Sequence, residues 1–270
     1  MPAYTATPIL RKTDVRYFLD ISYRGAAFHG WQRQPDDMSV QQCLEEAFSK
    51  ALRLNIAVTG AGRTDAGVNA RRMVAHADLP DDICAPTLLR AVNSMAGRDI
   101  AVHSITPVHD GAHARFDATE RCYRYYAHTS KNPFIRELSW QASPKLDFEA
   151  MNEAASLLLG CRDFTSFAKL HSDARTNICD LREAAWHRTA ADRWYFEIKA
   201  DRFLRNMVRA VVGTLVDVGR GKISPQGVLS ILEASDRCAA GTSMPAHALY
   251  LWDVSYDYWK APEADSEDGL

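Results

Sequence analysis

The sequence predicts an α+β fold with a mixed, largely antiparallel sheet, and three observations lead to it. Apolar segments of period two, as in half-buried strands, interleave with segments of period 3.6, as in amphipathic helices. Several strand segments lie too close together for a helical crossover, so hairpins are frequent, which disfavours a doubly wound parallel sheet. Each half of the 270-residue chain yields about four strands and two helices, an arrangement that suggests an internal duplication, although direct repetition between the halves is weak.

The elements follow in order. Residues 1–13 read as a flexible lead, and Arg16 to Ser22 as a strand that ends at Gly25. Ser39-Val40-Gln41-Gln42 resembles a capping box, opening a helix whose apolar face runs through Val40, Leu44, Ala47, Phe48, Ala51 and Leu52. A strand is expected near Met73–Ala77, a helix from Pro86 to Met95 with proline in its first turn, and a strand over Ile100–Val108. In the second half Arg121–His128 reads as a strand, and Asp147 to Leu159 as a helix with Phe148, Met151, Ala155 and Leu158 inward and Gly160 as its stop. Ala184–Arg188 and Arg193–Ala200 form a hairpin, Phe203 to Val218 a buried helix ending at Gly219, Ser224-Pro225 the start of a last helix, and Ala248–Tyr256 a closing strand. The irregular stretch from Pro107 to Ala114 places a boundary near residue 110. This gives an N-terminal α/β domain (1–110), a C-terminal α/β domain (111–260) and an acidic, disordered tail (261–270).

Composition narrows the function classes. Apolar residues make up 47% of the chain, ample for a core. The first eight residues hold no apolar signal region, and no run approaches the ~18 apolar residues of a membrane span. The six cysteines form no Cys-x-x-Cys pair and no zinc-ligand spacing, so they read as reduced, mostly buried thiols of a cytoplasmic protein with no metal. The formal net charge is −2, but the last nine residues carry four acids, which leaves +2 elsewhere, and residues 202–222 are net +4. A local basic groove is therefore compatible with the acidic total.

The segment Gly60-Ala61-Gly62-Arg63-Thr64-Asp65-Ala66-Gly67-Val68 carries the chemistry. Its glycines allow a tight turn and close approach of a ligand. Arg63 precedes Asp65 by two residues, which on an extended strand puts both side chains on one side. The expectation is an acid displayed on an uncluttered turn beside a guanidinium, an environment that favours the charged carboxylate.

Four segments stand in order: Gly25-x-x-Phe28-x-Gly30-Trp31-Gln32-x-Gln34; Gly62 to Val68; His113-Ala114-Arg115-Phe116 with Tyr123-Arg124-Tyr125; and Phe203-x-x-x-Met207-Val208-Arg209. Together they resemble the tRNA pseudouridine synthase A family, over about Tyr17 to Tyr256. The resemblance implies two ferredoxin-like α/β domains flanking a central basic cleft, a homodimer, and isomerisation of uridine at positions 38, 39 and 40 of the tRNA anticodon stem and loop, with no cofactor and no metal. By the same resemblance Asp65 is the catalytic acid, Arg209 its basic partner, Tyr123 the aromatic that stacks on the target uracil, and Arg63 an aid in displacing the base. Tyr125 shares a strand face with Tyr123, so only the resemblance chooses between them. Arg115, Arg121, Arg124, Arg202 and Arg205 are candidate phosphate contacts, and Trp31 and Phe28 are expected to pack beneath the Asp65 turn. Two departures stand out: Asn69 where the family more often has His, and Arg24 where it commonly has Asp. A catalytically silent RNA-binding protein and an RNA glycosidase are the competing readings. Retention of Asp65, Tyr123 and Arg209 together argues against the first.

Overall fold

Apolar side chains at every second position make β1 (Asp14–Tyr23) a strand, with Tyr17, Leu19, Ile21 and Tyr23 buried on one face. The computed structural model describes residues 14–169 and 176–262. The lead at 1–13 and nearly all of the acidic tail lie outside the described residues.

Helix α1 (Val40–Leu52) begins where expected, because the Ser39 Oγ accepts a hydrogen bond from the Gln42 amide at 3.2 Å. The reciprocal arm of the capping box does not form, since the Gln42 side chain donates along the helix to Glu46. Next come β2 (Thr59–Gly60), β3 (Asn69–Pro80), α2 (Ala85–Met95) and β4 (Ile100–Pro107). Strand β3 is twelve residues long, well beyond the short segment that the alternation around Met73 marks. Both faces of its middle are buried, which erases the period-two signal.

The second half contributes β5 (Glu120–His128), β6 (Trp140–Gln141), α3 (Phe148–Leu158), β7 (Leu181–Ala190), β8 (Arg193–Ala200), α4 (Met207–Gly219), α5 (Gly227–Glu233) and β9 (Leu249–Ser255). Asp147 caps α3 by accepting from the amides of Glu149 and Ala150. Gly160 does not supply the left-handed stop expected of it. The helix ends in a tighter turn, the Leu159 amide donating to the Ser156 carbonyl, with Leu159 still right-handed. The buried helix begins at Met207 rather than Phe203, because Asn206 takes a left-handed conformation at φ 65°. Phe203, Leu204 and Arg205 are thereby released from the helix into a loop.

The sheet runs in the order β4-β1-β3-β9-β5-β8-β7, with β2 on β3 and β6 on β5. Its pairs are antiparallel except β3–β9 and β5–β6, so the architecture is α+β with a mixed sheet. Strand β9 comes from the end of the chain yet lies between β3 and β5, pairing with β3 through Asn69–Tyr250 and Ala70–Leu251. Two hydrophobic clusters result. One gathers β1, β3, β4, α1 and α2; the other gathers β5, β7, β8 and α3 to α5. Tyr123 packs against both.

Of the six cysteines only Cys122 and Cys179 are buried, while Cys84 and Cys238 are exposed. The expectation of mostly buried thiols therefore fails. The two exposed ones fall at a helix start and in a turn, where the chain has no core to enter. Among the described residues no helix is long and apolar enough to cross a membrane.

Candidate active site

The Asp65 turn is held from below by the segment that ends at Trp31. The Trp31 amide donates to the Thr64 carbonyl, the Gly67 amide to the Phe28 carbonyl, and the Val68 amide closes on the Asp65 carbonyl. The Tyr23 and Thr64 hydroxyls share a buried hydrogen bond of 2.8 Å. Gly30 makes the close approach possible. Its φ is +94°, and a Cβ there would lie 2.5 Å from the Thr64 carbonyl oxygen. Phe28 and Trp31 are 9% and 2% exposed beneath the turn, in the packing role read from the sequence.

Across from the turn stands the N-terminal end of α4. Arg209 Nη1 lies 3.7 Å from Asp65 Oδ2, and Arg205 Nε lies 3.8 Å from Asp65 Oδ1. Both separations are too long for a hydrogen bond, so the carboxylate is flanked by two guanidinium groups without being locked to either. Arg209 is itself anchored: its Nε donates to the Met244 carbonyl, and its own carbonyl accepts from the Met244 amide. That loop can approach because Gly213 faces it; a Cβ at this position would fall 1.8 Å from the Thr242 carbonyl oxygen.

Asn69 joins the same loop to the turn. Its Oδ1 accepts from the Gly25 amide and its Nδ2 donates to the His247 carbonyl, both at 2.8 Å. Asn69 is 3% exposed. The departure noted in the sequence is thus a buried clamp between three segments that form the site.

Tyr123 rises from β5 beside this pair. Its register against β9 slips between Cys122 and Tyr123, leaving Trp252 as the extra residue of a bulge. Phe203 meets the Tyr123 ring edge to face at 5.1 Å. Burial pushes the Tyr123 hydroxyl pKa up, Arg121 nearby pulls it down, and the Asp65 charge pushes it up again. The hydroxyl is therefore neutral at physiological pH. Tyr125 shares the face but is 0% exposed, whereas Tyr123 is half-buried.

The other arginines divide. Arg63 forms no ion pair with Asp65 among the described residues; its Nε donates to the Gln32 side chain at 3.1 Å. Residues 61–68 lie outside the strands, so no strand pairing imposes the extended geometry that would put both side chains on one side. Arg124 points to the opposite face of the sheet, where it pairs with Glu197 and lies 4.0 Å from the Trp252 ring centroid and 4.5 Å from that of Tyr195. Arg115 is exposed on the loop before β5, and Arg202 is half-buried. Arg121 is a strut. Its Nη1 donates to the carbonyls of Ala118 and Asp201, and its Nη2 to those of Ala61 and Arg115, at 2.6–3.0 Å. One guanidinium thus ties the roots of the Asp65 turn, the 113–118 loop and the loop into α4. Sequence reasoning placed Arg121 among phosphate contacts, since nothing in a strand arginine announces carbonyl partners from distant segments. Arg121→Met should lower the unfolding free energy by about 2–4 kcal/mol, because buried carbonyls lose a charged donor. Urea titration checks this, and Arg121→Lys should recover only part of the loss.

The basic window at 202–222 also divides. Arg220 and Lys222 pair with Asp217 at 3.6 and 2.9 Å, and Arg220 lies eleven residues, about 16 Å, along the helix from Arg209. Of this window, Arg205 and Arg209 are the residues that pair with Asp65 among the described residues. Among the described residues no group of three or more His, Cys, Asp or Glu is placed to hold a metal ion.

An acid on a glycine-framed turn, two facing guanidinium groups and a half-buried aromatic ring thus meet at one place, and comparison with known proteins gives the family. Residues 154–257 match the family profile described as tRNA pseudouridine synthase. The chain is 52% identical over 242 residues to tRNA pseudouridine synthase A of Parabacteroides distasonis, covering 89% of this chain and 96% of that protein. It is 53% identical to the protein of that name from Porphyromonas gingivalis, covering 89% and 97%, and 50% identical to that from Bacteroides thetaiotaomicron, covering 89% and 90%. The chain belongs to the tRNA pseudouridine synthase A family.

Proposed function

We propose that this protein converts uridine to pseudouridine in the tRNA anticodon stem and loop, at positions 38, 39 and 40. The observation that carries the reading is Asp65, displayed between Arg205 and Arg209 with the Tyr123 ring beside it. The reaction breaks the bond between ribose C1′ and uracil N1, turns the base and joins C1′ to C5. Atoms are conserved, so the site needs no second substrate. The Asp65 carboxylate attacks C1′ or removes the C2′ proton to give a glycal, and either role needs an ionised carboxylate within contact distance. Arg209 and Arg205 orient the carboxylate, and their exposed edges face incoming phosphate. Tyr123 offers a flat partner to a base that has left its stack, an event that costs a few kcal/mol.

The two α/β halves would then form the walls of the cleft that receives the stem and loop, with Arg63, Arg115 and Arg202 on its rim. The reading extends to a cytoplasmic homodimer, which the family resemblance supports; sedimentation tests the dimer.

The deciding assay incubates the protein with uridine-containing tRNA, digests the product and looks for pseudouridine. Unchanged uridine would mean a silent binder, and free uracil a glycosidase. A second measurement tests the electrostatics. Among the described residues the Arg63, Arg115 and Arg202 side chains form no ion pair, and Arg205 is 61% exposed. With three or four phosphate contacts, log Kd should change with log salt at a slope of magnitude about 3. A flat response between low and physiological salt would rule out a basic cleft.

A further inference from the structure

The loop from Ala112 to Asp117 is more rigid than a surface loop needs to be. Ala112 and Ala114 are 0% exposed. The Ala112 carbonyl accepts from Arg16 at 2.8 Å, and the Ala114 carbonyl from the buried Tyr256 hydroxyl at 2.6 Å. The Ala114 amide donates to His76 Nδ1, and burial, with the Arg16 charge nearby, pushes the His76 pKa down to about 4. The neutral ring is therefore free to accept. His113 Nδ1 accepts from the amides of Arg115 and Phe116, while the His113 amide is held by Asp117, whose carboxylate is also held by Tyr258.

What this scaffold displays is an aromatic ring. Phe116 is 75% exposed. Its ring lies on that of His113, with centroids 4.2 Å apart and planes 32° apart, and the Arg115 guanidinium carbon is 5.8 Å from its centroid. A single exposed phenylalanine on a flexible loop would need no explanation. Here the backbone is fixed at nearly every amide, one ring supports the phenylalanine, and a cation sits at its side. The loop is also bolted to the catalytic turn: one nitrogen, Arg121 Nη2, reaches both the Arg115 and the Ala61 carbonyls, at 2.6 and 3.0 Å. The Phe116 backbone is thus one residue from a carbonyl that shares its donor with the root of the Asp65 turn.

A π-surface with an adjacent guanidinium, held on a loop that Arg121 ties to the root of the Asp65 turn, has the chemistry of a platform for an unpaired nucleobase. Stacking of this kind tolerates any base, while the cation meets the neighbouring phosphate. We propose that Phe116 is a nucleobase-stacking residue that holds an unpaired anticodon-loop base next to the target uridine, a role that rests on the tRNA reading above. It differs from that of Tyr123, which serves the reacting base itself, and it explains why the loop is preorganised: a fixed ring loses little entropy when the base arrives.

The test is a binding cycle at fixed salt. Phe116→Leu removes the π-face but keeps an apolar side chain over His113. It should weaken tRNA binding by about 5–30-fold, whereas Phe116→Trp should stay within about twofold of wild type. As the side chain is mostly exposed, the thermal midpoint of either variant should barely move. A series of anticodon stem–loops, each with one loop base removed, should contain one member that weakens the wild type by the same factor and Phe116→Leu not at all. Equal tRNA affinity of Phe116→Leu and wild type would overturn the proposal. So would a series in which every base removal affects both proteins alike, or a Leu variant altered only in its oligomeric state. The cycle does not depend on turnover. Wild-type protein that binds tRNA but forms no pseudouridine would sink the activity reading, and the coupling between Phe116 and a loop base would still decide the stacking role.

Discussion

Asp65→Ala should abolish pseudouridine formation while leaving the fold and tRNA affinity nearly unchanged. Among the described residues the carboxylate is the one acid paired with Arg205 and Arg209, and on the proposed reading its removal takes away the group that attacks or deprotonates the ribose. A positioned base alone contributes ~10²–10⁴-fold, and a nucleophile cannot be replaced by the methyl group of alanine. Binding should hold within a few-fold or tighten, because the lost group is an anion in a site for a polyanion. Stability should change by less than about 1 kcal/mol, since the side chain is 26% exposed and its pairs at 3.7–3.8 Å are loose. Single-turnover assays on digested tRNA give the rate, and a filter-binding isotherm gives the affinity. Turnover above about 1% of wild type would remove Asp65 from the chemical step; a large loss of affinity instead would assign it to binding. Asp65→Asn sharpens the result, because it keeps the shape and polarity of the side chain and removes only the charge.

How much of this was legible in the sequence depends on the range over which each signal acts. Local signals carried. Ser39 caps its helix as read, Asp147 stands at the start of its helix as the cap, and the hairpin of β7 and β8 falls where the alternation put it. The Asp65 turn and its floor of Phe28 and Trp31 could be placed because glycine and aromatic spacing is itself local. Signals failed where tertiary contacts override the local pattern. The run from Phe203 reads as continuous helix, yet Asn206 breaks it and frees Arg205 to reach Asp65. Arg63 seemed the natural partner of Asp65, but it bonds Gln32, and the guanidinium groups that pair with Asp65 come from some 140 residues further along the chain. Arg121 and Asn69 could not be read at all. Each acts through backbone groups of distant segments, and a backbone carbonyl carries no residue signature. The side chains that gather at the Asp65 turn were thus partly legible from their residue types, while the struts that hold them together were not.

Tyr123→Ala should reduce catalytic efficiency by about tenfold to a hundredfold, and Tyr123→Phe by much less. The ring, half-buried where the two hydrophobic clusters meet and braced edge-on by Phe203 at 5.1 Å, is positioned as a surface for a base. Stacking on such a ring is worth ~1–3 kcal/mol, and the alanine variant forfeits all of it. The hydroxyl is a poorer candidate for the C5 proton. Burial and the Asp65 charge raise its pKa more than Arg121 lowers it, so at physiological pH it is a neutral phenol that holds its proton. A neutral phenol can donate a hydrogen bond to a uracil carbonyl, but it is a weak base. The sign also sets the pH profile. Phenolate is suppressed across the neutral range, so the ratio of wild-type to Tyr123→Phe rates should stay flat from pH 6 to pH 9, roughly the span in which an ordinary tyrosine, with its pKa near 10, is already protonated. A ratio that climbs with pH would mean that the phenolate takes part. A Tyr123→Phe loss of ~10²–10⁴-fold, the usual contribution of a positioned acid or base, would give the hydroxyl the proton transfer and reduce stacking to a secondary role. Wild-type rates from both variants would leave the target base without its aromatic partner at Tyr123, and the fully buried Tyr125 could not take its place without movement of β5.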